Sequence, residues 1–163
     1  MTKPKTATET GRTPMDSALR FLGARARTVR EVERHLDNCE YGEVEVYETV
    51  ERLKDLGLLD DLAFANEFVR TRLATKPISR AHLREQLLSH ETQQAAIEQA
   101  LSGIDDETQQ RTAIATAEKY ARQYDRLAPE ERDEMVIRRL LSRGYSYDEA
   151  RAALREAVEG TQE

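Results

Sequence analysis

The stretch VYETVERLKDLGLLDDLAFANEFVRTRL, Val46 to Leu73, decides the fold. Its first half has the pattern of an amphipathic helix that ends at Gly57, which is typical of the recognition helix in a winged-helix DNA-binding domain. In such a domain a wing should follow, made of two alternating strands joined by a tight turn. The residues that follow are DDLAFANEFVRTRL, whose aromatic side chains repeat on one helical face. We therefore predict a further helix in place of a wing, with Asp60 or Asp61 as its N-terminal cap.

Size and composition favour small helical units. The chain has 163 residues, of which 39% are apolar and 34% charged, but only 6% are aromatic and none is Trp. Seven Gly and four Pro leave few places for the tight turns of a β protein. No apolar run is long enough to span a membrane, the polar N-terminus lacks a signal sequence, and the one cysteine, Cys39, fits a reducing compartment. We expect an all-α cytoplasmic protein without a membrane partner.

The apolar residues form a repeat. Three sets of four share the spacing 4, 10, 4, and the sets are 51 and 53 residues apart. They are Val32, Leu36, Val46 and Val50; Leu83, Leu87, Ile97 and Leu101; and Val136, Leu140, Ala150 and Leu154. Another apolar helix precedes each set, so the pattern predicts three units of three helices each. Three short helices enclose only a thin core, and neighbouring units should therefore pack against each other.

The limits of the units follow from caps and breakers. We place a disordered polar tail at residues 1–14 and the three-helix repeats at residues 15–59, 60–104 and 105–160. The expected helix caps are Thr28, Asp60 or Asp61, Ser79, Asp105 or Asp106, and Ser146. The expected stops lie near Gly42, Gly57, Gly103 and Gly144.

No pattern in the sequence indicates catalysis. His35, His82 and His90 stand at no metal-ligand spacing, and the chain has neither a glycine-rich phosphate loop nor a nucleophile elbow. Capping accounts for the aspartate pairs at 60–61 and 105–106 without an ion. We predict no catalytic residue, no metal and no cofactor, and therefore a protein that is not an enzyme.

Charge is sorted along the chain, although the net charge is −6. Residues 18–38 carry five bases against three acids and residues 63–90 five against two, whereas residues 39–62 carry two against eight and residues 91–109 none against five. If the units stack in one sense, the bases form a stripe that could orient a partner. Its members would be Arg25, Arg27, Arg30, Arg34, Arg70, Arg72, Lys76, Arg80 and Arg84. The alternative is a set of solvated faces with local ion pairs.

Several segments resemble the RecX family of recombination regulators: ARARTVREVERHL, VERLKDLGLLDDLAFANEFVRTR, and LREQLL followed by AAIEQAL. The most specific is LGLLDDLAFANEFVRTR, Leu56 to Arg72, and the resemblance covers about residues 15–158. Thr28 and Val32 stand where family members usually carry Ser and Leu. The second repeat turns through Ser-His-Glu-Thr, residues 89–92, where relatives have Lys-Gly-Ile, so we expect a differently built turn.

The resemblance implies three tandem three-helix repeats in an elongated, curved arrangement, acting as a monomer. It implies binding in the groove of a RecA filament on DNA and inhibition of RecA ATPase, strand exchange and co-protease activity, and hence a role in DNA repair, recombination and the SOS response. The nine basic residues would face acidic RecA surface or phosphates of single- or double-stranded DNA. Two alternatives stay open: a helix-turn-helix DNA-binding regulator that uses Val46 to Lys54, and a helical-repeat scaffold for another protein.

Overall fold

A computed structural model of the chain describes residues 11–160, and every regular element in this part is an α-helix. In order they are α1 Pro14–Ala24, α2 Val29–Asn38, α3 Glu43–Asp55, α4 Asp61–Thr75, α5 Arg80–Ser89, α6 Gln94–Leu101, α7 Asp106–Gln123, α8 Pro129–Ser142 and α9 Tyr147–Glu159. The predicted all-α fold is confirmed, and α4 occupies the place where a wing would stand. The predicted disordered tail falls mostly on residues 1–10, which lie outside the described residues, and α1 begins at Pro14.

The described chain folds as two compact units, one of residues 11–67 with 87–97 and the other of residues 68–86 with 98–160. In the first unit, α1, α2 and α3 all pack against one another. Their buried core is Ala18, Val32, Leu36, Tyr41, Val46, Val50, Leu53 and Leu59. In the second unit, α7, α8 and α9 do the same. Their buried core is Ala113, Ala117, Tyr120, Val136, Leu140, Tyr145, Ala150, Ala153, Leu154 and Ala157.

All twelve residues of the predicted repeat are buried. None has more than 9% of its surface exposed, and Val32, Leu83 and Val136, which begin the three sets, are each at 0%. These three residues lie on α2, α5 and α8, the second helix of each repeat. Burial of one Val or Leu side chain stabilises a fold by about 1.5–3 kcal/mol, so the repeated apolar set accounts for much of each small core. Three tandem three-helix repeats are therefore confirmed.

Most of the predicted caps are in place. Thr28, Asp105 and Ser146 each accept a hydrogen bond from the backbone N–H three residues on, at 3.2, 2.7 and 3.1 Å. Ser79 does the same for the N–H of His82 at 3.1 Å. At the start of α4 the cap is Asp60, whose Oδ1 accepts from the N–H of Ala63 at 3.0 Å.

The helix stop predicted near Gly42 lies four residues earlier, and Gly42 itself is not the stop. Gly42 is the N-cap of α3, with an extended φ of −67°, and α2 has already ended at Asn38. The left-handed position that would suit a glycine is taken by Glu40, at φ 65°. A glutamate can hold this conformation because the surrounding hydrogen bonds offset its local cost.

The turn after the second helix is built alike in all three repeats. Its left-handed residue is Glu40 at φ 65°, Glu91 at φ 55° and Gly144 at φ 87°, which are 51 and 53 residues apart. In each case the following residue donates its N–H to the carbonyl five positions back, at 3.2–3.3 Å. The expectation of a different turn at residues 89–92 is therefore wrong, because Glu91 adopts the conformation for which relatives use Gly.

Candidate interaction surface

A hydrogen-bonded junction joins the first repeat to the second within the first unit. Thr28 donates its hydroxyl to the carbonyl of His90 at 2.7 Å. Asp61, which is 6% exposed, accepts from the N–H of Val29 at 2.9 Å and from the N–H of Gln93 at 2.8 Å. One carboxylate thus satisfies the free N–H groups at the starts of α2 and α6, and the negative charge suits both helix ends.

A matching junction joins the second repeat to the third within the second unit. The N–H of Ser79 donates to the carbonyl of Arg143 at 2.9 Å. Gln109 is the bridging side chain here, as Asp61 is in the first junction. Its Oε1 accepts from the N–H of Arg80 at 2.8 Å, and its Nε2 donates to Glu149 at 2.7 Å. Glu149 in turn accepts from the N–H of the α9 cap at 2.8 Å. The turn of one repeat therefore docks on the start of the second helix of the repeat before it, twice in the chain.

The turn at Gly144 approaches the start of α5 very closely. A Cβ atom at Gly144 would stand 2.5 Å from Ser79 Oγ and 2.6 Å from His82 Cβ, closer than real Cβ contacts allow. Arg143, only 7% exposed, secures the same contact, because its Nη1 donates to the carbonyl of Pro77 at 3.1 Å.

The basic residues predicted in the first repeat are held by internal contacts. Arg25 forms an ion pair with Glu31 at 2.8 Å. Arg30 and Arg34 share Glu91, at 3.6 and 2.6 Å, across the first junction. The guanidinium of Arg27 lies over the Phe21 ring, 3.9 Å from its centroid.

The basic residues predicted in the second repeat make more varied contacts. Arg84 makes a two-pronged pair with Glu98 at 3.0 and 3.2 Å, which raises the pKa of Arg84 and lowers that of Glu98. Arg80 bonds to Asp106 at 2.5 Å as well as to Gln109. Arg72 lies 5.2 Å from the centroid of the Phe68 ring. Arg70 and Lys76 are exposed on α4 and just after it.

Several of the nine predicted residues have a carboxylate partner inside the described chain. They include Arg25, Arg30, Arg34, Arg80 and Arg84. The alternation of charge along the sequence is used in part to pair one repeat with the next. These pairs are solvent-exposed, so each contributes only about 0–1 kcal/mol and leaves the arginines able to exchange partners.

Glu31 contacts three groups at the first junction: Arg25, the N–H of Thr28 and the His90 ring. Burial raises its pKa, but hydrogen bonds from Arg25, from the N–H of Thr28 and from His90 outweigh burial and hold the pKa below its ordinary value. Its contacts with Arg25 and His90 measure 2.8 and 3.4 Å. Glu31 thereby joins the cap of α2 to the turn that docks on it.

Sequence reasoning missed a group of basic side chains in the third repeat. Lys119, Arg139 and Arg143 surround the ring of Tyr120, and Arg139 also contacts Tyr124. The available signal was the i, i+4 spacing of Arg139 and Arg143, but acids elsewhere in residues 127–163 give that block a net negative charge. The net negative charge of the whole segment therefore concealed the local excess of positive charge.

Residues 11–160 offer neither a metal-binding group nor a membrane-spanning helix. This part of the chain contains no group of three or more His, Cys, Asp or Glu side chains placed to hold a metal ion. Nor does any of its helices have the length and apolar character needed to cross a lipid bilayer.

The chain consists of tandem three-helix units that are joined by repeated hydrogen-bonded junctions. It is therefore a helical-repeat protein. Family models described as the first, second and third three-helix domains of RecX match residues 15–53, 60–101 and 107–154. The chain belongs to the RecX family of regulatory proteins.

Several known proteins are similar to the chain. Regulatory protein RecX of Clostridium botulinum (strain Alaska E43 / Type E3) is 29% identical over 148 residues, which are 88% of this chain and 68% of the relative. Regulatory protein RecX of Bacillus subtilis (strain 168) is 31% identical over 137 residues, 84% of this chain and 52% of the relative. The crystal structure of RecX from Lactobacillus salivarius matches with a TM-score of 0.74 at 27% identity, covering 88% of this chain and 94% of that one. The chain spans about half to two thirds of the length of these curated relatives.

Proposed function

We propose that the chain binds in the groove of a RecA filament assembled on DNA and lowers RecA ATPase, strand exchange and co-protease activity. The observation that carries the proposal is the succession of three RecX three-helix domains, each with its buried four-residue set intact. A filament presents the same surface at regular intervals. A protein with three equivalent modules can contact successive subunits and gain from the high effective concentration of the second and third contacts.

In this proposal the chain has no catalytic activity and acts as a monomer in the cytoplasm. By occupying the groove it prevents closure of RecA subunits and the approach of a second DNA, and so restrains recombination, repair and the SOS response. The exposed arginines supply the charge for the encounter. Because surface ion pairs are weak, Arg30 and Arg34 can exchange Glu91 for acidic RecA side chains or DNA phosphates at small cost.

The helix-turn-helix alternative gains no support from α3. This helix carries five acids, at positions 43, 45, 48, 51 and 55, against Arg52 and Lys54. Lys54 is also paired with Glu51 at 3.0 Å. A helix with this surplus of negative charge would be repelled by the phosphates that line a major groove.

Binding to the filament is tested by a pull-down with RecA on single-stranded DNA, RecA alone, and the DNA alone. We expect retention on the filament that weakens as salt concentration rises if phosphates are contacted. Equal retention of the chain on all three supports, or retention on none, contradicts the proposal.

The role of the paired arginines is tested by a charge swap at Arg84 and Glu98. Arg84→Glu alone should weaken filament binding, and the double variant Arg84→Glu/Glu98→Arg restores the internal pair with reversed polarity. If Arg84 faces the filament, the double variant stays defective. Full recovery of binding by the double variant would show that Arg84 acts only through its pair with Glu98.

A further inference from the structure

The feature that leads beyond the proposed function is a cluster of positive charges around one buried ring in the third repeat. The ring belongs to Tyr120, which is 7% exposed. Lys119 Nζ lies 5.8 Å from its centroid, Arg139 Cζ 5.5 Å and Arg143 Cζ 5.6 Å. Tyr124 lies beside it with its ring nearly parallel, at a centroid distance of 6.2 Å. We call these five residues the Tyr120 cluster.

None of these three cations forms a close ion pair within the described chain. Within residues 11–160 no carboxylate oxygen lies within 4 Å of the charged nitrogens of Lys119, Arg139 or Arg143. The nearby acids of α7, Glu118 and Asp125, line a groove with Ala121, Arg122 and Arg132. Like charges at i, i+4 repel, as Arg139 and Arg143 do, and the quadrupole of one tyrosine ring offsets three cations only in part. The cluster therefore attracts an anion.

Hydrogen bonds hold both arginines of the cluster in place. Arg143 is fixed as a buried positive charge, since its Nη1 donates to the Pro77 carbonyl and its Nη2 to the Tyr120 hydroxyl at 2.5 Å. Arg139 is exposed, and its Nε donates to the Tyr124 hydroxyl at 2.9 Å. That bond orients the guanidinium, and no group in the described chain accepts a hydrogen bond from its two terminal nitrogens. A planar pair of N–H donors of this kind matches two oxygens of a phosphate.

We propose that the Tyr120 cluster is a phosphate-binding site, which takes a phosphodiester of single-stranded nucleic acid on Arg139 and Lys119. Arg143 supports it with a buried charge, and Tyr124, which is half-buried, offers an aromatic face for a base next to the bound phosphate. The site does not depend on RecA and makes no use of the predicted basic stripe. Inorganic phosphate shares the chemistry and is distinguished from nucleic acid by the test below.

The test uses the full chain and a fluorescent oligothymidylate, in the absence of RecA, followed by fluorescence anisotropy. Arg139→Gln should weaken binding about tenfold, because it removes a charge-assisted pair of hydrogen bonds. It should also reduce the dependence of log K on log salt by roughly 0.7. Arg138→Gln is the matched control: it removes the same charge from the neighbouring exposed position, which is not one of the three cations near the Tyr120 ring. We expect it to weaken binding less than about twofold.

Lys119→Gln guards against a folding artefact, since it removes a cluster charge without removing a hydrogen bond, and it should weaken binding in the same direction as Arg139→Gln.

The second arm measures thermal unfolding in sodium phosphate and in sodium chloride of equal ionic strength. If phosphate raises the Tm of the wild type but not of Arg139→Gln, while the oligothymidylate does not bind, the site takes free phosphate only. Equal losses for Arg138→Gln and Arg139→Gln, or no response to either probe, would overturn the inference.

Discussion

Replacing Gly144 by Ala tests whether the turn of the third repeat docks on the start of α5. Gly144 has a φ of 87°, a conformation that costs an L residue roughly 1–2 kcal/mol. The added Cβ would also stand 2.5 Å from Ser79 Oγ and 2.6 Å from His82 Cβ. Ser79 is 2% exposed and caps α5, so it cannot move aside easily. Overpacking of this kind costs about 1–3 kcal/mol, and the expected total is about 3 kcal/mol.

Gly57→Ala is the matched control for this substitution. Gly57 has a φ of 72°, and a Cβ there would meet no atom within 4 Å. Gly57→Ala should therefore show the backbone cost alone, about 1 kcal/mol. Both free energies of unfolding are measured in urea by circular dichroism of the helices. If Gly144→Ala is no more destabilising than Gly57→Ala, the turn does not dock on α5 and the second junction is refuted.

Further substitutions at Asp61, Glu31 and Glu91, with matched controls, test the first junction and its charges. Asp61→Asn should lower the free energy of unfolding by about 2 kcal/mol, because a carboxylate that accepts two backbone N–H groups is lost. Asp60→Asn is the control and should change this free energy by less than about 0.5 kcal/mol, since Asn caps a helix as well as Asp does. Equal effects of the two substitutions in urea unfolding would contradict the bridging role of Asp61. Glu31 has a lowered pKa, so its stabilising contribution is present above its ordinary pKa of 4.5 and is lost as pH falls through the folded-state value. Glu31→Gln should accordingly flatten the loss of stability on acidification, and an unchanged pH profile would count against the Glu31 contacts. The Glu91→Gly variant should be about 1 kcal/mol more stable than the Glu91→Ala variant. Both variants lose the ion pairs of Glu91, but only Gly is unstrained at a φ of 55°. A more stable Ala variant would contradict the assigned turn.

The sequence predicted those parts of the fold that depend on nearby residues. Apolar spacing identified the buried sets, because i, i+4 positions share one face of a helix. Thr28 and Ser146 were predicted as caps because a short hydroxyl before an apolar run bonds an N–H only three residues away. The αL turn at Glu91 was missed, since its left-handed residue is not Gly and the hydrogen bonds that hold it do not depend on side-chain type.

The junctions could not be predicted from local patterns. Thr28 and His90 are 62 residues apart, and nothing near either residue indicates the other. Asp60 or Asp61 was predicted as the cap of α4, because either carboxylate could accept from the free N–H groups of the first turn. A carboxylate at a helix start suits a local cap, as at Asp60, and equally a long-range bridge, as at Asp61. The sequence cannot tell these apart when two aspartates are adjacent.

The basic stripe was inferred from charge counts, which do not reveal pairing. Arg34 meets Glu91 over 57 residues, so an arginine counted as free is partly neutralised in the fold. The same counting concealed the Tyr120 cluster, because the four acids of α8 lie in its first half, whereas Arg138 and Arg139 lie near its end. Whether a charge has a partner depends on which side chains the fold brings together. Charge counts along the sequence do not record this pairing.

The central claim, that this chain restrains a RecA filament, is tested most directly by the ATPase rate of RecA on single-stranded DNA. The chain is added in increasing amounts up to one molecule per RecA, with Gly144→Ala as a variant whose second junction is disrupted. We predict a progressive fall in the ATPase rate with the wild-type chain and a weaker fall with Gly144→Ala. An ATPase rate that stays constant up to equimolar wild-type chain would contradict the proposed function.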